Sequence, residues 1–418
     1  MRFLLTPVGS GGDVHPFVGI GRALQARGHE VILFGAEPFR GVVETGGLVF
    51  VPTGTAEQYH AATMDPDLWH PRRGIATVLK LVKPALESSL AALATHYIAG
   101  QTMVVGHPLG FHTRIFEEKT GAPAATIQLA PSSIRSCYQI PALPPGVDIS
   151  WLPLWVKRIF WVLVDRVAID PLIEPELNRL RAANGLPPVH RVFREWINSP
   201  RLVVGLFPDW FGPRQPDWPA SFRHASFPLW DDPGGAPVDP ELAAFLDQGT
   251  PPIIASPGTA NRHATAFFAA IQAALGRLGR RGLFLTGYPE QLPPDLPSTI
   301  LVRKYAPFSE VLPYAGAFIH HGGIGTLAQG LASGKPQLIM PMAFDQPDNA
   351  LRATRLGVAR WLSPAKFTAE RVTSALGGLL ESAAVATAGA SWKERLRQVN
   401  GIEIACDLLE QEAKRSTA

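Results

Sequence analysis

Short apolar blocks alternate along this chain with stretches whose apolar residues recur at helical spacing. The blocks predict strands over 3–6, 30–34, 103–105 and 124–128, and again over 253–255, 283–285, 300–302, 317–319, 337–340 and 358–362. Helical spacing fills the intervals 14–27, 75–93, 112–119, 263–281 and 327–333, and a polar helix over 392–414 closes the chain. Strands that alternate with helices pair in parallel, because each crossover returns the chain to the same edge. The alternation runs twice, so the pattern predicts two βαβ sheets.

Between them the pattern changes. Seven of the ten tryptophans fall at 151, 155, 161, 196, 210, 218 and 230, which sets this stretch apart from both sheets. From 151 to 168 apolar side chains point in nearly every direction, interrupted only by Lys157, Arg158, Asp165 and Arg166. Such a segment suits a buried core helix, the wall of an apolar acceptor cleft, or a surface resting on a membrane. Trp151 and Trp155 are the acceptor contacts it offers. The stretch 208–240 is dense in Pro, Gly and Asp and reads as a linker and hinge. The predicted organisation is a Rossmann-like domain over 1–207, the linker, a second Rossmann-like domain over 241–390, and a terminal helix over 391–418 that packs back on the first domain.

Composition narrows the partners. A net charge of +3 spread over 418 residues lacks the dense basic stripe of a nucleic-acid binder. Two cysteines, Cys137 and Cys406, rule out a disulfide framework and point to a reducing, cytoplasmic setting. No apolar run is long enough for a secretory signal or a membrane span.

Two glycine loops carry the candidate chemistry. Gly9-Ser10-Gly11-Gly12-Asp13 joins the first strand to the first helix, letting the backbone approach a ligand closely. Taken alone, Asp13 fits an N-cap as well as a chemical group, and His15 fits a structural role at the helix start. In the second half, Ile319-His320-His321-Gly322-Gly323-Ile324-Gly325-Thr326 also joins a strand to a helix. Free N–H groups, the hydroxyl of Thr326, two imidazoles and a positive helix end suit this loop to receive a diphosphate, the alternative being a buried histidine pair beside a tight turn. Farther on, Asp345 and Gln346 follow a strand, where a carboxylate beside a carboxamide suits vicinal hydroxyls. Asp65-Pro66-Asp67 has the form of a metal-binding pair but lies in a polar loop of the first half, and no metal is expected.

These motifs resemble the GT-B glycosyltransferases of family 1, in their sterol, macrolide and glycopeptide-antibiotic branches. The resemblance rests on Gly11-Gly12-Asp13-Val14-His15-Pro16-Phe17 with Arg27-Gly28-His29, on His320 to Thr326, on Pro341-Met342-Ala343-Phe344-Asp345-Gln346 with Asn349, and on Tyr305-Ala306-Pro307-Phe308. Phe207-Pro208-Asp209-Trp210-Phe211, Asp217-Trp218-Pro219 and Pro66-Asp67-Leu68-Trp69 are similar to the rhamnosyltransferases of bacterial rhamnolipid synthesis, whereas the doubled histidine is that of the broader family.

The resemblance implies a nucleotide-sugar donor held by the second domain, dTDP-L-rhamnose first and UDP-glucose next. It implies an apolar, hydroxyl-bearing acceptor such as a 3-hydroxyacyl lipid. By position, Asp13 becomes the general base, and Gly11 and Gly12 its loop. His321, Gly323, Gly325 and Thr326, with His320, Ser256 and Thr259, become the phosphate contacts. Asp345 and Gln346 fall to the sugar, Tyr305, Ala306 and Phe308 to the base, and His15 to the acceptor. The reaction implied is an inverting single displacement without metal or cofactor. A natural product or sterol is the alternative acceptor. A non-catalytic partner protein is the alternative of another class, and it would have lost residues that this chain keeps. An NAD-dependent oxidoreductase accounts for the first loop and leaves the second unexplained.

Overall fold

The computed structural model describes residues 1–70, 73–142, 148–231 and 238–416. Among the described residues thirteen strands form two sheets, and all their pairings are parallel. The first contains β1 (Arg2–Thr6), β2 (Glu30–Ala36), β3 (Val49–Gly54), β4 (Thr102–Gly106), β5 (Ala124–Gln128), β6 (Val203–Gly205) and β7 (Phe222–His224), in the order β3-β2-β1-β4-β5-β6-β7. The second contains β8 (Ile253–Ser256), β9 (Gly282–Leu285), β10 (Ile300–Arg303), β11 (Ala317–His320), β12 (Gln337–Ile339) and β13 (Ala359–Trp361), in the order β10-β9-β8-β11-β12-β13. The GT-B plan of two facing Rossmann-like domains is thus what the chain adopts.

The strand orders locate the ligand crevices. In the first sheet the chain works outward from β1 and then restarts on its other side at β4. In the second it does the same from β8 to β11. Loops on either side of such a switch diverge and leave a crevice at the strands' C-terminal ends. Four loops therefore converge, after β1, β4, β8 and β11.

Eight of the helices are α1 (Gly11–Ala26), α2 (Gly74–His96), α3 (Leu154–Val164), α4 (Asp170–Ala183), α5 (Ile324–Ser333), α6 (Gln346–Arg355), α7 (Ala383–Arg397) and α8 (Gly401–Arg415). The single closing helix expected over 392–414 is two. Asn400 ends the run and caps α8, its carboxamide oxygen accepting from Ile402 and Glu403 N–H at 3.1 and 3.3 Å. Ala405, Cys406, Leu409 and Ala413 of α8 share one core with Phe3, Leu5, Val14 and Phe17, so the chain's end belongs physically to the first sheet.

The stretch read as a linker is mostly built structure where it is described; 232–237 lie outside the described residues. Phe222–His224 is the seventh strand of the first sheet. Phe207, Phe211, Trp218, Phe222 and Phe227 pack with Leu327, Leu331 and Ile339 of the second domain. Its prolines set the turns while its aromatic residues fill the seam, so a flexible-looking composition yields an anchored segment. A buried ion pair within α6 is tied across the same seam by its further hydrogen bonds. Arg352 donates to Asp348 at 2.6 Å and to the Phe211 carbonyl at 2.7 Å, and Asp348 accepts from Ala142 N–H at 3.1 Å. With its partners supplied, that pair escapes the penalty of an orphaned buried charge.

Candidate active site

A cleft of about 860 Å³ opens where the four loops meet. Among the residues singled out from sequence, Asp13, His15, Gly11, Gly12, Ser256, Thr259, Tyr305, Ala306, Phe308, His321, Gly323, Gly325, Thr326, Asp345 and Gln346 all line it. The two domains come close here. A Cβ on Gly11 would sit 3.1 Å from the Thr259 hydroxyl oxygen, so glycine is what lets α1 approach the loop after β8.

Asp13 occupies the third position of α1 and turns back on the helix start. Its Oδ2 accepts from Ser10 N–H at 2.6 Å and from the Ser10 hydroxyl at 3.1 Å. Oδ1 is the oxygen left to face the cleft. Burial pushes the carboxyl up to about 6, against the pull of those two hydrogen bonds. A carboxylate poised there is a far better base than an ordinary aspartate.

Sequence reasoning missed His107, which follows β4. Its Nδ1 accepts from Leu109 N–H at 3.2 Å. Burial lowers the ring to about 3, so it is neutral and its one proton sits on Nε2. That N–H lies 3.8 Å from Asp13 Oδ1. The signal was available in the topology: His107 stands just beyond the strand that pairs with β1, at the switch point.

Across the cleft, the His321 ring is gripped by two glycines. A Cβ on Gly258, whose φ is +92°, would meet the ring at 2.7 Å, and one on Gly323 would meet Nε2 at 2.5 Å. The ring's Nδ1 is buried without a protein partner, and burial lowers its pKa to about 4. Next to it α5 follows its N-cap Gly323 with no acidic residue in its first turn, and the only carboxylate that reaches its start among the described residues is Asp345, which accepts from Ile324 N–H. Gly325 and Thr326 lie in that turn, so its N–H groups and positive dipole end face the cleft.

His320 does something else. It is fully buried and does not line the cleft. Its Nδ1 accepts from Gly322 N–H at 3.0 Å, and its Nε2 meets Gln337 Oε1 at 2.8 Å. Both nitrogens are occupied in holding the loop, so His320 is not a phosphate contact. Adjacent residues leaving a strand point to opposite sides, and only one of the pair reaches the cleft.

Asp345 stands at the start of α6, with Asn349 donating to its Oδ2 at 2.6 Å. Burial raises it to about 7; that hydrogen bond pulls the other way, and the nearby charge of Asp13 adds to the rise. Gln346 Oε1 accepts from Met342 N–H at 2.9 Å, fixing the loop. Phe344, in the left-handed region at φ 58°, reaches the first domain and meets the Trp69 ring edge-on at 5.8 Å. His15 packs edge-on against Trp230 at 5.1 Å.

Beyond these polar groups the first domain contributes an apolar wall to the cleft. Val78, Val82 and Leu86 of α2 face Trp161 and Val164 of α3, with Ile169 and Phe193 beyond. Trp151 and Trp155 are not among the lining residues. They are 78% and 65% exposed on the outer surface, because α3 turns Lys157, Trp161 and Val164 inward instead. Asp65 caps a short turn, accepting from Asp67 N–H at 2.8 Å, while Asp67 pairs with Arg73. Among the described residues no group of three or more His, Cys, Asp or Glu is arranged to hold a metal, and no helix is long and apolar enough to cross a membrane.

Residues 3–139 match the glycosyltransferase family 28 N-terminal domain, and 289–410 match the erythromycin biosynthesis protein CIII-like, C-terminal domain. The chain is 31% identical to the O-mycaminosyltylonolide 6-deoxyallosyltransferase of Streptomyces fradiae, over 100% of this chain and 99% of that one. It is 29% identical to glycosyltransferase GtfE of Amycolatopsis orientalis, over 86% and 85%. Among solved structures, the glycotransferase of kitacinnamycin superposes with a TM-score of 0.75 at 21% identity, over 99% of both chains. The spinosyn rhamnosyltransferase SpnG complexed with thymidine diphosphate superposes at 0.69 and 17%, over 98% and 100%. These two share its fold.

Proposed function

The chain belongs to the GT-B glycosyltransferases that join a family 28 N-terminal domain to an erythromycin biosynthesis protein CIII-like C-terminal domain, and on that premise we propose a donor, an acceptor class and a base. It transfers a sugar from a nucleotide-sugar donor. The donor is dTDP-L-rhamnose, with UDP-glucose next, and the acceptor is an apolar molecule bearing one reactive hydroxyl. A 3-hydroxyacyl lipid fits the apolar channel between α2 and α3, whose walls are aliphatic and aromatic side chains. The relative from Streptomyces fradiae, named for a 6-deoxysugar and a tylonolide, favours a second acceptor, a macrolide-type natural product.

One observation carries the mechanism: a buried carboxylate and an uncapped helix start face each other across a single cleft. The acceptor oxygen forms its bond to the anomeric carbon as the bond from that carbon to the diphosphate oxygen breaks. The acceptor's proton passes to Asp13 Oδ1. Negative charge grows on the departing diphosphate beside His321 and the first-turn N–H groups of α5, which favour the transition state over the ground state. Asp345 and Gln346 hold the sugar, and Tyr305, Ala306 and Phe308 flank the nucleotide base. Attack from the face opposite the leaving group inverts the anomeric centre. No step in this scheme calls on a metal.

Thermal stability against dTDP-rhamnose, dTDP-glucose, UDP-glucose, UDP-GlcNAc, GDP-mannose and NAD tests the donor. A ligand at 100 times its Kd stabilises by about 2.7 kcal/mol. A rise of roughly 5 °C or more with dTDP-rhamnose is expected. A rise confined to UDP or GDP sugars overturns the donor, and turnover assays with 3-hydroxyacyl lipids and macrolide aglycones separate the two acceptors.

A further inference from the structure

The outer face of α3 holds apolar surface that the cleft does not use. Trp151, Trp155, Ile159, Val162, Leu163 and Val167 are 44–78% exposed. They are six of the fourteen large apolar side chains exposed among the described residues, gathered within one short segment. From Trp155 on their spacing follows the helix through α3 and the π-helical turn Asp165–Ile169 that continues it, with Trp151 in the turn just before, so they form one stripe. A contiguous exposed stripe of this kind marks an interaction surface.

The charges on the segment choose the partner. Arg158 and Arg166 are exposed beside the stripe. The segment's remaining charges are turned inward: Lys157 donates to the carbonyls of Tyr138 and Ser150 at 3.0 and 3.1 Å, and Asp165 pairs with Arg135 at 2.7 Å. Outward charge from 151 to 167 is thus purely positive, interleaved with indoles and aliphatic side chains. Arginine suits anionic headgroups, and tryptophan suits the boundary between headgroup and acyl chain.

We propose that this face seats the protein on an anionic lipid bilayer, with the axis of α3 lying in the interfacial plane. The opposite side of the same segment, through Trp161, Val164 and Ile169, lines the acceptor cleft, so the cleft lies one helix diameter from the bilayer, about 10 Å. The seat is independent of the acceptor reading. A protein with this surface binds vesicles whichever hydroxyl it glycosylates.

Co-sedimentation of the full chain with vesicles of phosphatidylcholine alone, and of phosphatidylcholine with about one-third phosphatidylglycerol, tests the seat. The expected result is retention by the anionic vesicles, weakened by salt. The W151A/W155A variant should lower partitioning about tenfold or more, and R158E/R166E should abolish the preference for anionic vesicles. Unchanged melting temperature and unchanged dTDP-sugar binding in both variants show that the fold survives. Failure of the native chain to sediment with anionic vesicles overturns the proposal, as does sedimentation indifferent to both variants. A dimer that W151A/W155A dissolves, with no vesicle binding, assigns the face to a second copy instead and overturns it equally.

Discussion

The two glycine loops are one device used twice, and the position that separates them is the third residue of the helix that follows. In the first, Ser10-Gly11-Gly12-Asp13 starts α1 with a carboxylate that folds back on Ser10. In the second, Gly323-Ile324-Gly325-Thr326 starts α5 with a hydroxyl at the same helical position and no side-chain cap. A helix start that carries its own anion has little attraction left for another. One whose own first turn holds no acid keeps N–H groups for phosphate. In the proposed mechanism the same backbone motif thus divides into a proton acceptor on one wall and an anion receptor on the other, and both line the same cleft.

The sharpest break in this comparison is Asp13→Asn. The carboxamide keeps an oxygen for Ser10 but cannot take a proton, so kcat should fall by at least about 10²-fold. Stabilisation by dTDP-sugar should persist, since the second loop is untouched. Near-normal turnover would remove Asp13 from the base's place.

Making the second loop like the first is the complementary break. Thr326→Asp places a carboxylate at the third position of α5, where a diphosphate is to sit. Donor affinity should weaken by about tenfold or more through like-charge repulsion and loss of the positive helix end, read as a smaller thermal shift with dTDP. An undiminished shift would mean that the diphosphate lies elsewhere.

A smaller effect sharpens the first wall. His107→Phe removes the N–H dipole that stands 3.8 Å from Asp13 Oδ1, so the carboxylate loses a favourable neighbour and its pKa should rise. The acid limb of kcat/KM should move to higher pH, with a loss of about tenfold at neutral pH. His107→Gln, which restores an N–H, should recover most of it. Loss of stability with an unmoved limb would make His107 a packing residue only.

Most of the fold was legible because long strands such as Glu30–Ala36 announce themselves by an unbroken apolar run. The strands that escaped are those whose pattern is too short or too interrupted. Val203–Gly205 and Phe222–His224 have three residues each, and Val49–Gly54 is an edge strand that tolerates Pro52. The cleft residues were legible where a loop joins a strand to a helix in sequence. His107 was not, because its nearness to Asp13 exists only once β4 lies beside β1. The aromatic segment 151–168 misled in the opposite way. Tryptophan looks the same in sequence whether it lines a cleft, as Trp161 does, or faces outward, as Trp155 does.

The smallest expected effect is on stability, and it tests the electrostatics that the two walls share. Asp13 and Asp345 are both raised by burial, to about 6 and about 7, and the charge of Asp13 contributes to the second rise. Each releases its proton from the unfolded chain near pH 4, but from the folded protein only at these higher values. Between those limits the folded state binds the extra protons, so its stability falls as pH climbs from about 4 to about 7. Asp345→Asn removes one of the two charges while leaving an oxygen to accept from Asn349. Its melting temperature should therefore exceed the native value at pH 8, by the order of 3 °C, and converge with it near pH 4. With Asp13 as the proposed base titrating beside Asp345, the same substitution should also move the acid limb of kcat/KM to lower pH. A limb that stays put would show that the two carboxylates do not sense each other across the cleft, whatever the melting curves do.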